Sequence, residues 1–307
     1  MIAIRKLNLE ELAIRHYNSI LKYANRPLTR RIKIDLLNQW LESNLSITFK
    51  KLIIATPKEL EAIKLKYDGT LSLLNNPFKC LKSLYIDFSS VNSPLLYNLN
   101  EKYSGYEFVA QLETTVCPYC NRNFIHNTAK KRTSELDHFY DKSEYSIFAM
   151  SFFNLIPSCK SCNQHKSNCK APLVNPYDDR YNVHREATFR LGITNVDAFY
   201  NKNELKLEYN PNEDSKIKVQ IDNAIKVFSL NDLYQNHKDY ALELIHKNIV
   251  YNEDYINSLY QQYEGTLFKN REDVLRLITT NYIEEQDLGK RPLAKLTRDI
   301  VESLDLI

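Results

Sequence analysis

Two Cys-x2-Cys pairs, Cys117-Pro118-Tyr119-Cys120 and Cys159-Lys160-Ser161-Cys162, stand 38 residues apart near the middle of a 307-residue chain. Each pair can place two thiolates on one ion while its own backbone N–H groups face the sulfurs, and two such pairs close a tetrahedral four-cysteine zinc site. A disulfide pairing is the competing arrangement. The chain holds no run of about 18 apolar residues that could span a membrane, and the N-terminal MIAIRKLNLEEL turns acidic before a signal-peptide core could form. The chain therefore reads as cytoplasmic, where stable disulfides are disfavoured. Structural zinc on Cys117, Cys120, Cys159 and Cys162 is the expectation. The separation is longer than in a simple zinc ribbon and implies a functional insert. Cys80 and Cys169 have no partner at that spacing and carry no expected site.

Charge concentrates in the same window. The whole chain has 41 Lys and Arg against 38 Asp and Glu, a net +3 too mild to mark a nucleic-acid binder. From Cys117 to Lys170 eight basic residues face four acidic ones, 8 − 4 = +4, which leaves 3 − 4 = −1 for the remainder. With 43% apolar and 26% charged residues, the composition excludes a disordered or collagen-like chain, and the length predicts about two domains.

Outside the window the periodicity is mainly helical. Asn8 is a candidate cap for a helix with Leu9, Leu12, Ala13, His16 and Ile20 on one face, and a second helix is predicted over Arg31 to Glu42. Thr56 and Glu59 have capping-box spacing, with Pro57 at the first helical position. Ser104 to Thr115 reads as the helix that delivers the chain into the window. Ala187 to Leu191, Leu205 to Tyr209 and Ile217 to Ile221 read as short strands, helical period returns from Asp222, and Pro292 opens a final segment. The predicted class is α+β, predominantly helical: a helical region over 1–105, a core over 106–180, and short strands followed by helices over 181–307.

Between and just after the knuckles lie Ser134-Glu135-Leu136-Asp137-His138-Phe139-Tyr140-Asp141-Lys142, Phe153-Asn154-Leu155-Ile156-Pro157 and Cys162-Asn163-Gln164-His165-Lys166. A phosphodiester resists hydrolysis because its anionic oxygens repel a nucleophile and its leaving alkoxide is poor, so cleavage needs a cation on the phosphate and a base on water. Asp137 and Asn163 offer one charged and one neutral oxygen, a pair suited to Mg²⁺ or Mn²⁺ rather than to zinc. His138 is the candidate general base, since neutral imidazole accepts a proton near pH 7. Lys142 and Lys166 are candidate phosphate contacts. Neighbouring strand residues point to opposite faces, so Asp137 and His138 can share one site only where the strand ends or twists. His126, His184, His237 and His246 lack partners at ligand spacing and read as surface or packing residues.

The order Cys-x2-Cys, Asp-His, Asn-Leu-Ile, Cys-x2-Cys-Asn-x-x-Lys resembles the HNH branch of the His-Me finger, or ββα-metal, nucleases in its zinc-stabilised form, over Cys117 to Lys170. The resemblance implies a strand ending at the Asp-His pair, a loop, a second strand and a helix carrying the last metal ligand. It also implies that Asn154 holds the loop backbone and so orients His138, and that the metal stabilises the scissile phosphate and the 3′ leaving oxygen. Some relatives carry His where this chain has Asn163 and Ser167, which argues against a zinc or nickel catalytic ion here. The expected protein is a metal-dependent endonuclease acting on DNA, with RNA as the other candidate substrate. The pattern is similar to HNH effectors of anti-phage systems, PtuB-like proteins of Septu and retron-associated operons among them, which implies a partner ATPase. The alternative from another class is a non-catalytic zinc module binding nucleic acid or a protein partner, which would have no need of Asp137, His138 and Asn163.

Overall fold

The structure, a computed structural model, describes all residues except 25–32, 71–76, 91–96, 99–100, 129–130, 168 and 305–307. The N-terminal helices are α1 (Leu9–Ala24), α2 (Ile34–Leu45), α3 (Phe49–Ile54), α4 (Pro57–Thr70) and α5 (Lys79–Ser89), and the two-residue strands β1 (Tyr97–Asn98) and β2 (Glu101–Lys102) precede α6 (Gly105–Leu112). Local signals fix several of these elements. Helix α1 buries Leu12, Ala13, His16 and Ile20 along one face, Glu59 accepts the Thr56 N–H at 3.0 Å at the start of α4, and Ser104 with Glu107 closes a full capping box on α6. The second predicted helix begins later than expected, and Arg31 lies outside the described residues.

A small antiparallel hairpin occupies mid-chain. Strand β3 (Glu135–His138) pairs with β4 (Leu155–Ser158) in the register Asp137 to Ile156 and His138 to Leu155, and α7 (Lys160–Lys166) packs back onto β3. Both strands are short and almost wholly buried, because helices and loops cover both faces.

The C-terminal part holds α8 (Val183–Glu186) and a longer hairpin, β5 (Ala187–Ile193) with β6 (Leu205–Pro211), then α9 (Lys218–Val227), α10 (Leu230–Tyr234), α11 (Lys238–Val250), α12 (Glu253–Tyr263), α13 (Arg271–Thr279) and α14 (Ala294–Ser303). Ile217 to Ile221, expected as a strand, is instead the entry to α9. Its apolar residues alternate over only five positions, whereas Ile217, Ile221, Ala224 and Phe228 recur at helical spacing and are all buried. Helix α14 lies against β5, where Asp299 accepts the Phe189 N–H at 2.7 Å and pairs with buried Lys295. One continuous apolar core takes residues from Met1 to Ile300, including Phe49, Phe88, Phe108, Phe152, Phe189 and Phe228. Among the described residues no helix is long and apolar enough to cross a membrane.

Candidate functional site

The first knuckle is shaped by its own backbone. The Asn121 N–H donates to Cys117 O at 2.8 Å and the Cys117 N–H to Asn123 O at 3.0 Å, with Asn121 in the left-handed region at φ 50°, a conformation asparagine tolerates better than most residues. The second knuckle forms the start of α7, with Cys159 as its N-cap. The four sulfurs all lie within 4.8 Å of one another and are buried. The edge of a zinc tetrahedron with Zn–S bonds of about 2.3 Å is about 3.8 Å, so the cluster is of the right size for one ion. The Arg122 N–H and the Asn123 side-chain amide point at Cys120 and Cys159, at 3.4 and 3.3 Å, and would spread the charge of thiolates. Without a cation the thiols conflict: contacts from the other three cysteines push Cys159 toward its thiolate, while burial holds Cys117 protonated. All six cysteines are free. The donor set fits a structural metal such as zinc.

Next to this cluster, β3 presents its residues to two different surroundings. Glu135 and Asp137 face α7: the Asn163 amide donates to Glu135 at 2.5 Å, and Lys166 Nζ sits 3.1 Å from Asp137 and 2.7 Å from the His138 carbonyl. Tyr119, from inside the first knuckle and stacked on Phe228, donates its hydroxyl to Asp137 at 2.6 Å. Asp137 is 5% exposed, and burial lifts its pKa above the usual carboxylate range against the pull of Lys166 and Tyr119. Lys166, expected at a phosphate, is 2% exposed and committed to this pair. Asn163 shares the face with Asp137, but its amide bonds to Glu135.

His138, the last residue of β3, has other partners. Its Nε2 lies 3.0 Å from Ala149 O, and the Tyr85 ring of α5 meets it edge-on with centroids 4.3 Å apart. A carbonyl only accepts, so Nε2 carries the proton and Nδ1 keeps the lone pair. Burial, then the nearby Lys142 ammonium, pushes the His138 pKa down to about 3, which keeps the ring neutral at pH 7. Lys142 Nζ lies over the Tyr85 ring, 4.5 Å from its centroid. Asn154 is fully buried. Its side chain accepts the Tyr140 N–H at 2.7 Å and donates to the carbonyls of Tyr140 and Phe148, at 3.2 and 3.0 Å, pinning the loop that connects β3 to β4.

Over 77 residues the chain is 30% identical to the Septu protein PtuB of Bacillus thuringiensis, a stretch covering 24% of this chain and 29% of that protein. No family model matches the chain, and no solved structure does.

The oxygens of Glu135, Asp137 and Asn163 lie along one strand–helix face and suit a hard divalent cation in kind. In this conformation Asp137 is already neutralised by Lys166. Beyond the loop, a cleft of about 470 Å³ opens between Phe139, Tyr140, Asp141, Lys64 and Arg180. Sequence reasoning missed Tyr119, Glu135 and Tyr85. The three-residue spacing of Asn163 and Lys166 already put both on one helix face, where Glu135 and Asp137, two apart on a strand, could meet them. Tyr85 lies more than 50 residues from His138, and nothing local announces it.

Proposed function

We propose that this chain is an HNH endonuclease that hydrolyses phosphodiester bonds of DNA with a divalent cation, acting in anti-phage defence. One observation carries the reading: a neutral imidazole with a free Nδ1 at the end of a strand, beside a buried carboxylate, in a ββα unit built against a four-cysteine cluster. The similarity to a Septu protein supports the defence role and, with it, a partner encoded alongside. Asp137 and Asn163 would hold Mg²⁺ or Mn²⁺, which when bound supplies positive charge to the scissile phosphate and its leaving oxygen. His138 Nδ1 takes a proton from the attacking water, and the Ala149 carbonyl holds the ring in the tautomer that leaves Nδ1 free. Asn154 keeps the loop, and hence that carbonyl, in place. Lys142, whose ammonium lies over the Tyr85 ring and acts on His138, supplies positive charge for the phosphate.

The deep burial of Asp137 and His138 favours one competing reading, a non-catalytic zinc module. Plasmid nicking with Mg²⁺ decides between them. His138→Ala should cut about 10² to 10⁴ times more slowly than wild type, with zinc content and fold unchanged, because it lacks only the proton acceptor. Equal cutting by a folded His138→Ala protein removes His138 from the mechanism and overturns the HNH reading, and no cutting by wild type with Mg²⁺ or Mn²⁺ favours the binding module.

A further inference from the structure

Lys166 is a charged side chain at 2% exposure, on the helix that follows the second knuckle. Its ammonium reaches both oxygens of Asp137 at 3.1 Å and the His138 carbonyl at 2.7 Å. Those are hard oxygen donors at the strand end, the kind a divalent cation seeks. We propose that Lys166 is a resting counter-cation for the Asp137 position, displaced when a divalent cation binds. The inference rests on the nuclease reading for its biological sense, but the exchange itself concerns only cation binding.

The energetics favour an exchangeable pair over a permanent strut. A buried carboxylate deprived of its partner is strongly destabilised, so ionised Asp137 needs a cation beside it, and either Lys166 or a metal ion can meet that need. The two compete, because an ammonium and a divalent ion cannot share the same oxygens. Glu135, held by Asn163 on the same face, adds a second carboxylate that makes the position attractive to a doubly charged ion once the ammonium has left.

Mn²⁺ titration of the zinc-loaded full-length chain, followed by the electron paramagnetic resonance of free Mn²⁺ and without nucleic acid, tests this. Lys166→Gln, which leaves Asp137 without its cation, should bind Mn²⁺ at least about tenfold more tightly than wild type, and adding Asp137→Asn should abolish the gain. Equal or weaker binding by folded Lys166→Gln overturns the proposal. Should that variant fail to fold, Lys166→Arg keeps the charge and grips a carboxylate with two donors, so it should bind Mn²⁺ more weakly than wild type. Equal or tighter binding there overturns the proposal as well. Tighter Mn²⁺ binding by Lys166→Gln in a chain that cuts no DNA would keep the exchange and reject the nuclease, so the two failures are distinguishable.

Discussion

Ala149 and Met150 present consecutive carbonyls to two histidines with different fates. Ala149 O accepts from His138, and Met150 O from His16 Nε2 at 2.9 Å, while the other nitrogen of His16 meets the Tyr103 hydroxyl at 3.0 Å. His16 is fully buried among the rings of Phe88, Tyr103, Phe108 and Phe152. Burial pushes its pKa down to about 4, against 6.5 for a free imidazole. Between those two values the unfolded chain binds a proton that the folded chain refuses, so stability falls as pH drops below 6.5 and levels off near 4. From pH 7 to pH 5 this residue alone should cost about 2 kcal/mol. Urea unfolding of wild type and His16→Gln at both pH values checks it: the advantage of wild type at pH 7 should shrink by about that amount at pH 5. An advantage that stays constant would mean that His16 accepts its proton within the fold.

At the scale of elements, the loop between β3 and β4 depends on one side chain. Asn154 makes three hydrogen bonds to backbone groups of that loop, the one to Phe148 O buried and the two to Tyr140 partly buried. Asn154→Ala leaves those groups unsatisfied and should cost about 2–4 kcal/mol. Hydrogen exchange should show faster exchange over 139–148 in the variant, with β5 and β6 unchanged; unaltered protection of the Tyr140 amide would contradict the pinning role. Elements whose signals are local were legible in the sequence. The capping residues of α4 and α6 act within four residues, the apolar stripe of α1 spans one helix, and Cys-x2-Cys spacing is a property of a single turn. The entry to α9 was misread because a five-residue window fits both a two-residue and a helical period. Partners of the site were legible only in kind. Asp137 and His138 announced oxygen and imidazole chemistry, but Tyr85 and Tyr119 reach them across 53 and 18 positions, distances no periodicity encodes.

Across the whole molecule, the cysteine cluster is the point where distant segments meet. The Pro118 carbonyl accepts the Ile2 N–H at 2.9 Å, the Tyr234 hydroxyl of α10 donates to Cys120 O at 2.7 Å, and Asn123 reaches across to Cys159. Asn121 alone binds three backbone groups before and within α14: its amide donates to Leu288 O, its carbonyl accepts the Leu293 N–H, and its side-chain oxygen accepts the Lys295 N–H. A metal bound by these cysteines would therefore hold more than two knuckles. Free energies of about 10–16 kcal/mol for structural zinc in small peptides are as large as the whole stability of a typical domain, about 5–15 kcal/mol. Without such an ion four buried thiols would be left in conflict, and the anchor of α10 and α14 would be released together. Purified protein should carry about one Zn²⁺ per chain, and stripping it with a chelator should abolish the cooperative thermal transition of the entire chain rather than only its activity. Cys159→Ser should behave the same way, because three thiolates and a hydroxyl hold zinc far less tightly. A zinc-free protein that melts at the temperature of the zinc-loaded one would show that the apolar core alone holds these segments, and that the four cysteines serve another purpose.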